Sequence, residues 1–475
     1  MADPRPAERL AADAGVSSGR TKGSALVDRT RLARLSGRER ETYAATHPRS
    51  RDAFGASGGN LLSGVPMTWM RMWAGGFPLY LSRAHGARLT DIDGNEYADF
   101  CLGDTGAMAG HSPLPVQAAV ARRYADLGGA TTMLPTEDAA WVAAELTRRF
   151  GVTRWSFTLT ATDANRWALR LARQITGRPK ILVFSYCYHG SVDESFIVAT
   201  PEGPRPRPGD VGPPVDPRET TRVVEFNDPE ALQQELAHGD VAAVLMEPAL
   251  TNIGIVLPAA GYLEAVRALT AEYGTLLIND ETHTFSAGPG GCTAALGLQP
   301  DILTIGKSIG GGIPAGAYGL TEELSERILG DHDADIEDTG GVGGTLAGNA
   351  LSMAAMRATL GEVLTDEAFA GMIEVASRYT AGVQGVLDSR RLPWHIAQLG
   401  ARAEYRFSAR PPLTGGESAA AADPHLDEYM HLYTINRGIL MTPFHNMALM
   451  CPATTEADAD AHTAVFAAAD DELLI

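Results

Sequence analysis

The stretch Thr275 to Gly319, TLLINDETHTFSAGPGGCTAALGLQPDILTIGKSIGGGIPAGAYG, constrains the fold more than any other part of the chain. It holds two apolar strands, each ending in a charged residue. Leu276 to Asn279 delivers Asp280, and Ile302 to Ile305 delivers Lys307 after a single glycine, Gly306. In open α/β sheets ligands bind beyond the carboxyl ends of the strands, so both charges are expected in one crevice.

Elimination singles out Lys307. Of 39 Lys and Arg residues only three are lysines, Lys22, Lys180 and Lys307. Lys22 lies in a polar amino-terminal stretch, and Lys180 starts a strand after Arg178-Pro179, where a solvated surface position is expected. Lys307 sits between an apolar strand and the run Gly310-Gly311-Gly312, and glycines allow close backbone approach to a ligand. A surface lysine on a turn is the bland alternative. A nucleotide P-loop is excluded, because Asp301 stands where its first glycine would be and the glycines follow the lysine. A lysine and a carboxylate in one crevice suit pyridoxal phosphate: the lysine forms a Schiff base and the carboxylate keeps the ring nitrogen protonated.

This stretch resembles the class III aminotransferases among the fold-type I pyridoxal phosphate enzymes, and within them the glutamate-1-semialdehyde aminomutase-like branch. That branch reads LLI-x-DEV-x-T, PD and GK-x-IGGG-x-P-x-GAYG. The resemblance implies an α/β fold: a large domain with a mostly parallel seven-stranded sheet between helices, and a smaller α+β domain from both termini. The expected division is 1–54 as tail and helix, 55–115 as the amino-terminal part of the small domain, 116–350 as the large domain, and 351–475 as the carboxyl-terminal small domain.

Other blocks extend the likeness. Asp28 to Phe54 reads as a surface helix and Gly55 to Asn60 as a linker. Strands are expected over Pro78 to Arg83, Ala87 to Asp91 and Glu96 to Phe100, with Asp93-Gly94 as a hairpin signal. The branch places a carboxylate-binding arginine near Arg71, beside Trp69 and Trp73. Gly110-His111-Ser112-Pro113 is similar to the loop before a helix, here expected over Val116 to Ala125. Pro135-Thr136-Glu137 matches an element that the branch places near substrate, which makes Glu137 a candidate; a helix start capped by Thr136 is the equal alternative.

Thr160-Ala161-Thr162-Asp163-Ala164 follows the strand Trp155 to Leu159 and opens a helix. Free N–H groups at a helix start bind phosphate, and the hydroxyls of Thr160 and Thr162 can add hydrogen bonds. The family reads Ser-Gly-Thr-Glu-Ala here, so Ala161 replaces a glycine. Tyr188, in the Tyr188-His189-Gly190 element, is the implied stacking residue, with a core tyrosine as the alternative. His189 suits a structural or a chemical role equally. Asn252 aligns with a ring-hydroxyl contact, and Thr282 stands where a valine packs on the ring. His283 and Phe285-Ser286 also depart from the usual Met or Arg and Gly-Phe.

The acidic stretch Glu322 to Asp338 resembles a mobile lid. Thr345, in GGTLAGNALSMAA, implies a homodimer, since the family's threonine reaches the neighbouring subunit's phosphate; a helix cap is the alternative. Residues 402, 404 and 406 share a strand face, where Arg402 or Arg406 could clamp a carboxylate; a solvated edge strand competes. His445 and Asn446 fall in a stretch that resembles the family's substrate-side loop.

The resemblance implies an aminotransferase moving an amino group between an amino donor and a carbonyl acceptor through Lys307 and Asp280. An aminomutase or an amino acid racemase or epimerase would use the same cofactor residues. A silent homologue is disfavoured by the intact Lys307 and Asp280, and a dinucleotide-binding dehydrogenase by the lack of G-x-G-x-x-G after a strand. A formal charge of -19 argues against nucleic-acid and anionic-membrane partners. The four cysteines, Cys101, Cys187, Cys292 and Cys451, have no metal-ligand spacing. With no apolar leader or membrane-length run, a cytoplasmic protein is expected.

Overall fold

The computed structural model describes residues 27–212, 215–330 and 341–474. The amino-terminal stretch with Lys22, and the part of the acidic stretch from 331 to 338, lie outside them. The chain divides into two units, one holding 113–369 and 412–420 and the other holding the described residues before 113 with 370–411 and 421–474.

The second unit begins with helix α1 (Arg29–Thr46), capped by the Asp28 carboxylate, which accepts from the N–H groups of Thr30 and Arg31. Pro48 cannot continue α1 and opens α2 (Pro48–Ser57) instead. The expected single surface helix is therefore two helices, and it is not superficial: Leu32, Leu35 and Tyr43 are buried. The linker reading fails for Gly55 to Ser57, which are helical. Strands β1 (Leu81–His85), β2 (Arg88–Asp91) and β3 (Glu96–Asp99) form an antiparallel meander.

The first unit opens with α3 (Leu114–Ala121), which continues into a wider i→i+5 turn over Arg122–Leu127, so the expected helix is regular only in its first half. Helix α4 (Glu137–Phe150) leads to β4 (Arg154–Thr158) and α5 (Ala161–Thr176). Then follow β5 (Lys180–Phe184), β6 (Thr221–Val224), β7 (Val241–Met246), α6 (Tyr262–Glu272), β8 (Leu276–Asp280), β9 (Ile302–Gly306), β10 (Gly316–Leu320) and α7 (Glu322–Gly330). The described part of the expected lid is thus an ordered helix.

These strands make one seven-stranded sheet in the order β4-β10-β9-β8-β7-β5-β6. Only β10 runs antiparallel, pairing with β9 and β4. Every residue of β7, β8 and β9 is buried, as expected of strands covered on both faces. Ala164, Ala168, Leu169, Leu171 and Ala172 give α5 its buried face in this core.

The second unit is completed by β11 (His395–Leu399), β12 (Arg402–Arg406), α8 (Pro424–Ile435), β13 (Ile439–Leu440), β14 (Met447–Leu449) and α9 (Glu456–Leu474). β13 joins β3 in parallel, and β12 lies between β11 and β14. β12 is therefore flanked on both sides at Arg402, where the edge-strand alternative is wrong, while at Arg406 only β11 pairs with it. Among the described residues no helix is long and apolar enough to cross a membrane.

Candidate active site

Asp280 closes β8, and Lys307 follows β9, the strand paired beside it. The register Asp280 to Thr304 fixes how the two strand ends align. Lys307 has φ of 51°, a left-handed conformation rare outside glycine and costly for a lysine. Its Nζ lies 2.8 Å from His283 Nε2.

Asp280 is fully enclosed by hydrogen bonds. Its Oδ2 accepts from Asn165 Nδ2 at 2.8 Å and lies 2.9 Å from His189 Nδ1, while Oδ1 accepts from the Thr282 N–H at 3.0 Å. Burial alone would push this carboxyl up. The hydrogen bond and charge of His189, with those from Thr282 and Asn165, outweigh burial and hold it below the usual carboxylate range. His189 answers in the opposite sense: burial disfavours its cation, yet the Cys187 side chain and the Asp280 carboxylate hold its pKa well above the ordinary value. Each of the two groups favours the charged form of the other.

Asn165 extends the network. It donates to the His189 carbonyl at 3.1 Å, and its Oδ1 accepts from the Thr304 hydroxyl at 2.6 Å. Asn165 thus ties α5, β9 and the loop after β5 to one carboxylate. Sequence reasoning missed it. Its signal was present: it is a polar residue on the apolar face that Ala164, Ala168 and Leu169 define.

The next residue, Glu281, is a structural latch. Its buried carboxylate accepts from the Thr284 hydroxyl, the Cys292 N–H, and both the N–H and hydroxyl of Thr293. Burial nevertheless pushes it up. Glu247, at the end of β7, is pushed up to about 7 by burial and accepts from Thr251.

Helix α5 begins at Ala161, a helical position that alanine fills without strain, so the lost glycine costs nothing there. The N–H groups of Ala161 and Thr162 have no intrahelical acceptor. The structure gives the Thr160 hydroxyl a capping role: it accepts from the Asp163 N–H and donates to the Asp163 carboxylate. Thr162 Oγ1 accepts from the Ser191 N–H. Gly190 passes so close that a Cβ there would stand 2.0 Å from Thr162 Oγ1, and one on Gly306 would stand 2.9 Å from the Ala161 nitrogen. These contacts hold the start of α5 against the chain leading to Lys307.

Tyr188 is half-buried and edge-on to Phe196, with ring centroids 6.4 Å apart. Asn252 Nδ2 donates to the Tyr186 carbonyl at 3.2 Å. Thr282 is buried, and its Oγ1, like His189 Nε2, has no hydrogen-bond partner among the described residues. Such orphaned polar atoms, an ionised buried aspartate, a strained lysine and a helix start offering amides fit pyridoxal phosphate.

The remaining candidates have the following surroundings. Glu137 is the exposed first residue of α4, and Thr136 takes the cap position without a side-chain cap bond. Thr345 is exposed and lines a 440 Å³ cleft with Thr131, Met133 and Leu134. Asn349, not Thr345, caps the alanine-rich helix Ala350–Ala358. Arg71, Arg402 and His445 belong to the second unit. Arg71 is exposed, with its guanidinium over the Phe54 ring. Arg402 is only 1 % exposed and donates to the Thr105 hydroxyl. His445 is buried with Nδ1 3.4 Å from Glu404.

Residues 70–465 match the family described as Aminotransferase class-III. Glutamate-1-semialdehyde 2,1-aminomutase of Desulfitobacterium hafniense is 33% identical over 432 residues, covering 87% of this chain and 95% of the relative. A glutamate-1-semialdehyde-aminomutase structure from Pseudomonas aeruginosa PAO1, in complex with PMP, superposes with a TM-score of 0.92 at 48% identity, covering 94% of this chain and all of that one. A β-phenylalanine aminotransferase from Variovorax paradoxus gives a TM-score of 0.83 at 27% identity, over 92% of this chain and 97% of its own.

Proposed function

Because the chain belongs to the class III aminotransferase family, whose cofactor is pyridoxal phosphate, we propose that it is an aminomutase that shifts an amino group between neighbouring carbons of one small substrate, of the glutamate-1-semialdehyde type. The observation that carries this reading is the 48% identity to the Pseudomonas aeruginosa aminomutase across nearly the whole fold. The aminotransferase reading is second, supported by the lower-identity likeness to the Variovorax paradoxus enzyme.

When bound, the cofactor supplies an aldehyde and an electron-accepting ring. In this reading Lys307 is its covalent anchor and afterwards the amine that carries a proton between substrate and cofactor carbons. Asp280, kept ionised by His189 and Asn165, holds the proton of the ring nitrogen. Tyr188 and Thr282 would hold the ring, Asn252 would serve its hydroxyl, and the amides of Ala161 and Thr162 with the Thr162 hydroxyl would receive the phosphate. Thr345 reaches the site of a second copy, making the working unit a homodimer.

The test is to give purified holoenzyme glutamate-1-semialdehyde with no second donor or acceptor. An isomer of unchanged mass with the amino group on carbon 1 supports the aminomutase. Turnover only when an amino donor and a separate carbonyl acceptor are supplied supports the transaminase instead.

A further inference from the structure

Lys307 can serve as a nucleophile only without its proton, because an ammonium has no lone pair. The structure places a base against it. His283 Nε2 is 2.8 Å from Lys307 Nζ, within the range of a direct proton transfer. His283 is only 9 % exposed, so the contact is not an accident of a mobile surface chain. Its backbone is pinned as well. The Thr282 N–H donates to Asp280, the Phe285 N–H donates to the Glu281 carbonyl at 2.9 Å, and the Ser286 N–H donates to the His283 carbonyl at 3.2 Å. The Glu281 carboxylate is latched in turn by Cys292 and Thr293. These bonds fix the backbone that carries His283, and the Nε2–Nζ contact is the one its ring makes towards the amine.

We infer that His283 is the base that takes the proton from the Lys307 ammonium and gives it back. The N–H bond of Lys307 breaks, its electron pair stays on Nζ, and the proton forms a bond to His283 Nε2. The positive charge moves from ammonium to imidazolium, so nothing is oxidised or reduced. This assignment rests on the proposed role of Lys307 and adds the group that activates it. Imidazole suits the task because its two protonation states both lie within reach near neutral pH.

The experiment follows covalent capture instead of turnover. Cofactor-free wild-type protein, His283→Gln and His283→Ala are mixed with pyridoxal phosphate, quenched with borohydride at timed intervals, and the adduct on Lys307 is counted by peptide mass. Near-ultraviolet circular dichroism checks the fold, and the similarly sized glutamine guards against collapse of the alanine variant. Both variants are expected to load at least about tenfold more slowly, since a positioned base typically contributes 10²–10⁴-fold. Free imidazole restores His283→Ala towards the wild-type rate, and acetamide, which hydrogen-bonds without being basic, does not. Wild-type loading in His283→Gln, or equal rescue by both additives, overturns the assignment. A wild-type protein with no adduct on Lys307 overturns the cofactor reading itself, which separates the two failures.

Discussion

Replacing Asn165 with leucine tests whether the Asp280 network governs cofactor binding. The change is close in volume but removes the donor 2.8 Å from the Asp280 carboxylate. It also strips a donor from the His189 carbonyl and an acceptor from the Thr304 hydroxyl. A hydrogen bond to a buried charged group contributes about 1.5–3 kcal/mol. Losing it destabilises the ionised carboxylate by that amount, equivalent to roughly one to two pKa units upward. If ionised Asp280 is what grips the ring nitrogen, affinity for pyridoxal phosphate falls about 10- to 150-fold. Equilibrium dialysis of cofactor-free protein against graded cofactor measures this directly. Thr304→Val, which loses only a neutral bond, should weaken binding by about tenfold at most. An Asn165→Leu protein that is folded and binds cofactor as tightly as wild type refutes the reasoning.

Two further predictions concern stability. Gly291 has φ of 60°, and a Cβ there would stand 2.3 Å from a Glu281 carboxylate oxygen, so Gly291→Ala should destabilise by on the order of 2–4 kcal/mol, read as a lowered melting temperature; a melting curve unmoved by the substitution removes Glu281's role as a latch. Asp470 is pushed up to about 8 by burial, with Asp471 adding and Arg390 opposing. An unfolded aspartate releases its proton near pH 4, so between about pH 4 and 8 the folded state binds more protons and stability falls as pH rises. Asp470→Asn should flatten that fall, with a gain over wild type at pH 8 on the order of a few kcal/mol and little change at pH 4. Parallel pH profiles for the two proteins would contradict this.

The strand ends were legible because their chemistry is local: an apolar run that stops at Asp280, and another separated from Lys307 by a single glycine. The helix start at Ala161 was legible for the same reason. Asn165 was not, since its partner Asp280 lies 115 positions away and only the fold brings them together. The meeting of His283 with Lys307 is likewise tertiary; the sequence marks His283 as a departure from pattern and says nothing of its neighbour. β12 was open to an edge-strand reading because alternation along one strand does not reveal the two strands that flank it. Here they come from 395–399 and 447–449. The helix at Arg29 looked superficial because its charged residues dominate the composition, while Leu32, Leu35 and Tyr43 carry its packing.

Borohydride reduction of freshly isolated protein, followed by peptide mass mapping, bears most directly on the central assignment. A single phosphopyridoxyl group on Lys307, absent from Lys307→Ala, is the result expected. Modification at Lys180 or elsewhere, or none after the cofactor has been resupplied, would contradict it.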